Sequence, residues 1–209
     1  MTSVSIIGAG GMARAVGGVA RAAGAELQVV SRDPTEARTV TTELGTGTPG
    51  TLGDPLTGEI VVLALPFRAA TEIAAQQADA LAGRVVVDLT NPVDFATFDS
   101  LVVPADASAA AAIAEAAPQA RVVKAFNTTF AGALARGTLA GAPLTVLVAG
   151  DDDDARQAVV DLANAAGLRG VDAGSLKRAR ELEALGFLQM TLASSGATTW
   201  DGGFTLVAP

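Results

Sequence analysis

Histidine, cysteine and tyrosine are absent from all 209 residues. Without them there is no Ser-His-Asp triad, no thiol nucleophile, and no zinc site built on Cys or His. Reductases whose proton donor is a His, or a Tyr-Lys pair, are excluded as well. Whatever chemistry the chain performs runs without the usual acid–base side chains. Basic clusters are also missing: 14 Lys and Arg stand against 22 Asp and Glu, for a net charge of −8. DNA, RNA and anionic membranes are found by clustered cations, so neither a nucleic acid nor a membrane is an expected partner. No apolar run reaches the roughly 20 residues that span a bilayer. A strand begins within three residues of Met1, leaving no room for a signal peptide, so the expected location is cytoplasmic.

Half of the residues are hydrophobic and 17% are charged, which excludes a disordered chain and allows one well-buried core. Continuous apolar runs at Val4–Ile7, Leu27–Val30, Ile60–Leu65, Arg84–Leu89, Arg121–Ala125, Leu144–Ala149 and Gly170–Asp172 read as strands buried on both faces. Helical stretches alternate with them at Met12–Ala23, Thr35–Glu43, Arg68–Ala80, Ala107–Ala116, Phe130–Arg136 and Asp152–Ala165. That alternation predicts an α/β fold with a doubly wound, mostly parallel sheet. Residues 45–58, rich in Gly, Thr and Pro, hold one short strand and loops. Residues 1–174 form the predicted nucleotide-binding domain; residues 175–209 add a helix and a tail packed on it. The helix carries Leu176, Leu182, Leu185, Leu188 and Leu192 near helical spacing, which suits either a core helix or the face of a homodimer. The acids Asp151–Asp154 lack EF-hand spacing and read as the start of a helix, so no metal site is expected.

The first strand runs into Gly8, Gly10 and Ala13 in a G-x-G-x-x-A arrangement, with Gly11 and Met12 between them, and a helix follows. Gly8 permits the tight turn, Gly10 lets backbone approach a pyrophosphate, and Ala13 with Gly17 lets the helix lie close to the sheet. Unpaired N–H groups at the helix start then face the phosphates. This is the dinucleotide cradle of a Rossmann fold. The second strand ends in Ser31 and Arg32, the position that distinguishes an adenosine ribose 2′-OH from a 2′-phosphate. A cation and a hydroxyl there predict NADP(H) over NAD. Asp33 stands before Pro34 and reads as a helix cap.

Ligands in such sheets sit outside the carboxyl ends of the strands. Three ends carry informative residues: Leu65-Pro66-Phe67, Thr90-Asn91-Pro92 and Phe126-Asn127-Thr128. Together at one sheet edge, Leu65, Pro66, Asn91, Pro92, Phe126, Asn127 and Thr128 point to a nicotinamide and substrate pocket. Asp88 and Lys124 lie inside apolar strands, where an unpaired charge is costly. They either neutralise each other across adjacent strands, or Lys124 serves as a candidate catalytic residue that donates a proton or holds an anionic substrate.

The segments "IIGAGGMARAV", "VVSRDP", "VVLALP", "VVDLTNPV", "VVKAFNTTF" and "VDAGSLKRARELEALGFLQM" together resemble the NADPH-dependent reductases related to the coenzyme F-420:NADP oxidoreductases. The soluble reductase domain of the STEAP metalloreductases is also similar. The resemblance implies a Rossmann domain, often dimeric, that passes hydride between nicotinamide and a stacked deazaflavin or flavin. It places Gly8, Gly10, Met12 and Ala13 on the phosphate loop and Ser31 with Arg32 on the 2′-phosphate. Pro66 and Asn91 would lie along the nicotinamide, with Phe126 and Asn127 near the acceptor. The deazaflavin enzymes more often carry a Gly-Gly-Thr-Gly loop and a His where this chain has Gly-Ala-Gly-Gly and Asn127. The expected activity is NADPH-dependent hydride transfer to a small-molecule acceptor, with coenzyme F-420, FMN or FAD as co-substrate. Two alternatives remain open here: reduction of a small carbonyl or imine, and non-catalytic redox sensing through bound NADP(H).

Overall fold

The computed structural model describes residues 2–207. In chain order the elements are β1 (Ser3–Ile7), α1 (Gly11–Ala22), β2 (Glu26–Ser31), α2 (Pro34–Leu44), β3 (Thr48–Thr51), β4 (Ile60–Leu63), α3 (Phe67–Gln76), α4 (Ala78–Leu81) and β5 (Val85–Asp88). There follow α5 (Ala109–Ala116), β6 (Arg121–Lys124), α6 (Ala131–Arg136), β7 (Thr138–Leu139), β8 (Ala142–Pro143), β9 (Thr145–Gly150), α7 (Asp153–Ala165), β10 (Arg169–Gly174) and α8 (Ala179–Ser194). Eight strands make one sheet in the order β10-β9-β6-β5-β4-β1-β2-β3. β4, β5 and β6 lie to one side of β1 and β2 and β3 to the other, so the strand order reverses at the first strand, as the dinucleotide fold requires. No helix among the described residues is long and apolar enough to cross a membrane.

Helix starts follow local chemistry. Asp33 caps α2 by accepting from the Thr35 N–H at 2.8 Å, with Pro34 in the first position. Asp152 caps α7 in the same way through the Ala155 N–H at 2.8 Å. The apolar faces these helices bury form two cores, one on each side of the sheet, with Val62 and Val87 in one and Val61 and Val86 in the other. Alternation along β4 and β5 feeds both layers.

The structure departs from the sequence expectation in three places. β9 pairs antiparallel with β6 and parallel with β10, so the last two strands of the edge are reversed. Short α6 and the β7–β8 hairpin replace the long crossover that a parallel return needs. The helix expected over 68–80 breaks at Gln77, where φ is −113°, and restarts as α4. In α8 the leucine spacing does not mark the buried face. Ala179, Leu182, Glu183, Gly186, Gln189 and Ala193 face inward, whereas Leu188 is 50% exposed. The surface beneath α8 is a buried ammonium, backbone amides and a crowded strand end, and beside Leu182 these accept carboxylate, amide and glycine.

Candidate active site

At the β1–α1 turn Gly8 has φ +124°, and a Cβ there would overlap the Ala64 carbonyl. Its N–H donates to Val30 O at 2.8 Å, which ties the turn to β2. A Cβ at Gly10 would meet nothing within 4 Å, so the side of the loop facing the helix start is open space. Gly10 caps α1 without any side-chain bond to the first amides. The cradle thus has room and free donors for a pyrophosphate. Ala13 is fully buried behind it. Gly17 serves a different contact from the one expected: a Cβ there would come within 2.6 Å of Leu44 at the end of α2, while the strand side chains stay at ordinary distance. Arg14 joins this layer, pairing with Glu43 at 2.6 Å and donating to the Ala9 carbonyl.

At the tip of β2, Ser31 is buried and its hydroxyl donates to Glu36 Oε2 at 2.9 Å. Arg32 is exposed and has no ion pair among the described residues.

Gly11 and Met12, Leu65 and Pro66, Asn91 and Pro92, and Phe126 and Asn127 meet around one cavity of about 570 Å³. The phosphate loop and all three strand ends therefore converge. Thr128 does not join them; it faces a separate small cleft beside Leu185 and Phe204, and Thr129 lines the cavity instead. The reason is the turn after β6. Phe126 adopts φ +63° while fully buried, and its carbonyl accepts from Thr129 Oγ1 at 2.8 Å. A left-handed aromatic residue costs about 1–3 kcal/mol, and such strain concentrates at functional sites.

The floor is a reciprocal amide pair. Asn91 donates to the Asn127 carbonyl at 2.9 Å, and Asn127 donates back to Asn91 Oδ1 at 2.9 Å and to Leu182 O at 2.9 Å. Two buried polar atoms at this wall, Thr90 Oγ1 and Asn127 Oδ1, have no partner within the described protein. α8 approaches so closely that a Cβ at Gly186 would lie 2.6 Å from Asn91 Oδ1.

Lys124 is not part of the cavity. It is fully buried, with its ammonium 2.7 Å from Asp88 and 2.8 Å from Glu183, and it donates to Thr90 O at 2.6 Å. Every donor is spent and none faces a ligand. Glu183 also accepts from the Ala109 and Ala110 amides at 2.9 and 3.3 Å, closing the start of α5. Burial pushes the Glu183 carboxyl above its ordinary value, although the Lys124 charge opposes the shift. The expected Asp88–Lys124 contact thus proves to be two thirds of a triad. Its third member was legible only as one acid among helical leucines. Phe95, Val102, Phe130, Met190 and Trp200 also line the cavity; Phe130 and Met190 end segments that carry the family resemblance, whereas Phe95, Val102 and Trp200 stand in none of them.

Residues 3–92 match the family described as NADP oxidoreductase, coenzyme F420-dependent. The match covers less than half of the chain. It is 31% identical over 132 residues to the F420-dependent NADP reductase of Methanocaldococcus jannaschii, covering 61% of this chain and 59% of that protein. It is 32% identical over 182 residues to the metalloreductase STEAP3 of Rattus norvegicus, covering 87% of this chain and 36% of the relative. The chain therefore spans less than two thirds of the length of the curated relatives it matches. A solved structure from Arthrobacter sp. FB24, provisionally described as an F420-dependent NADP reductase, superposes with a TM-score of 0.84 at 27% identity, covering 98% of this chain and 99% of that one. The F420 family segment thus ends at the second of the three strand ends that build the cavity.

Proposed function

We propose that the chain is an NADP(H)-dependent oxidoreductase that moves hydride between the nicotinamide and a deazaflavin or flavin ring. The cavity's chemistry carries this reading: Arg68 is its one titratable lining residue among the described residues, and that side chain is 92% exposed at the rim. A carbonyl or imine reductase needs a proton delivered at the reacting centre, and Lys124 is sealed away from it. Ring-to-ring transfer needs mainly position and orientation. Bound NADPH would supply the hydride, and the acceptor ring would take it up together with one proton from water at a ring nitrogen.

The residues divide the work. Gly8 and Gly10 with the start of α1 hold the pyrophosphate, and Arg32 holds the 2′-phosphate, with Ser31 joining it once its hydroxyl turns from Glu36. Pro66 and Pro92 fix the chain beside the nicotinamide, while the Asn91–Asn127 pair keeps the floor flat and rigid. Asn127 lies on the acceptor side, with the buried Phe126 behind it. The F420 in the names of its relatives favours a deazaflavin, with FMN and FAD as the other flat acceptors. Anaerobic incubation with NADPH and each of coenzyme F-420, FMN and FAD, followed by nicotinamide absorbance, tests the reading. Turnover with at least one is expected. Tight NADPH binding without oxidation by any of them would replace it with redox sensing.

A further inference from the structure

The mouth of the cavity is more apolar than a water-facing rim has reason to be. Phe95, Val102 and Trp200 all line it, yet they are 69%, 57% and 51% exposed. Exposed apolar groups gathered around a concave site mark a surface that something covers. Phe95 and Val102 come from the loop between β5 and α5, which the Val93–Leu101 bridge closes. Trp200 comes from the far end of the chain, in the tail after α8.

Trp200 is not a loose end. Its ring rests on Phe130 with centroids 5.1 Å apart and planes inclined by 55°. Asp201, next in sequence, meets Arg136 at 3.6 Å, and it sits where a Cβ on Gly132 would have to be. Beyond it Gly203 bridges to Thr129, and the Phe204 N–H donates to Gln189 Oε1 at 3.3 Å. The tail is thus fastened on α6, on the turn after β6 and on α8. The indole is held by the tilted Phe130 ring, lines the cavity, and leaves half of its surface exposed.

We propose that Trp200 is an acceptor-binding residue, whose free face stacks on the planar ring system of the hydride acceptor. The C-terminal tail then forms the outer wall of the acceptor site, and Phe95 and Val102 close the opposite edge. This rests on the ring-to-ring reading above. A flat aromatic occupant fits better than an aliphatic one because the ring held ready at the mouth is the largest π surface a protein has. Arg68 stays outside the apolar part, exposed and paired with Glu72 at 3.2 Å, so an anionic substituent carried by the ring would reach it only in competition with that carboxylate.

Trp200 is the chain's one tryptophan and tyrosine is absent, so indole emission reports this residue alone. The whole chain, saturated with NADP⁺, is titrated with oxidised coenzyme F-420, FMN and FAD, conditions under which no turnover occurs. Saturable quenching by at least one is expected. Trp200→Leu keeps apolar bulk but removes the π face; it should raise the acceptor KM about 3- to 10-fold, the scale of aromatic pairing beyond area burial. Trp200→Phe should restore it to within about 2-fold, with NADPH affinity unchanged in both. An acceptor that turns over without quenching, or a KM indifferent to Trp200→Leu, overturns the assignment. Emission that changes with protein concentration alone assigns the rim to a second copy of the chain and also overturns it. If a ring quenches but none is reduced, the hydride-transfer reading fails while the ring site at Trp200 stands.

Discussion

The Ser31 hydroxyl donates to the Glu36 carboxylate across 2.9 Å, which sets an anion beside Arg32 at the tip of β2. A 2′-phosphate brought to that tip meets one cation and one anion. Glu36→Gln should therefore tighten NADPH binding about 3- to 10-fold, since like charges near a surface cost on the order of 1 kcal/mol. NADH should bind the same or more weakly, because a carboxylate is the natural partner of a free 2′-OH. Fluorescence titration with both nucleotides gives the ratio; a ratio that does not move towards NADPH contradicts the placement.

Arg32 has the opposite sign. Charge-assisted hydrogen bonds contribute about 1.5–3 kcal/mol, so Arg32→Ala should weaken NADPH binding about 10- to 150-fold. NADH affinity should hardly change, and equal losses for both nucleotides would move the 2′-phosphate elsewhere.

Lys124→Met should cost stability rather than chemistry. Removing one partner of a buried ion pair leaves uncompensated charge and costs about 3–5 kcal/mol, and here two carboxylates lose their shared cation. Urea denaturation reads the loss. At a temperature where the variant is folded, its pH–rate profile should match that of the parent chain; loss of an ionisation from that profile would return Lys124 to catalysis.

Glu183 sets a pH dependence whose sign is contrary to an ordinary salt bridge. Its folded pKa lies above the usual 4.5, with burial the leading cause. The folded state then holds more protons than the unfolded one above that value, so this group's contribution falls as pH rises through the window between the two. Melting temperatures of the parent chain and Glu183→Gln should be nearest at the acid end, where Glu183 is protonated in both states. The balance should tilt towards Glu183→Gln as the pH climbs through the window. A balance tilting the other way would mean that Lys124 outweighs burial.

Gly186→Ala tests the floor. The added methyl would stand 2.6 Å from Asn91 Oδ1 and 2.9 Å from the Asn127 carbonyl, both polar and both held. Overpacking of this kind costs about 1–3 kcal/mol. Because the atoms displaced belong to the cavity, KM for nicotinamide or acceptor should rise with it. Stability loss with unchanged kinetics would separate α8 from the site.

The βα turn with Gly8 and Gly10, the cap at Asp33 and the three strand ends were legible because each is local: a few consecutive residues specify each geometry. The reversal of β9 was not, since strand direction depends on what short α6 and the hairpin do between strands. Thr128 and Thr129 exchange places because the left-handed Phe126 turns the backbone by one position, and no neighbouring glycine announces it. α8 misleads for a physical reason. Apolar spacing marks a buried face only where the surface beneath is apolar, and here it is Lys124, two amides and Asn91. Trp200 reaches the cavity through contacts nearly the whole chain length away from Met12, which no local pattern encodes.

The cavity is assembled from both halves of the chain. Gly11, Met12, Pro66 and Asn91 come from within the F420 family segment, residues 3–92, while Asn127, Met190 and Trp200 come from the remainder. Under the proposed ring-to-ring reading, most nucleotide contacts fall in the first half and most acceptor contacts in the second. On that reading, substitutions in the second half would change the redox partner while leaving the nucleotide contacts of the first half in place. The seam that would have to be matched in a chimera is small: Asn91 against Asn127, and Gly186 above them both.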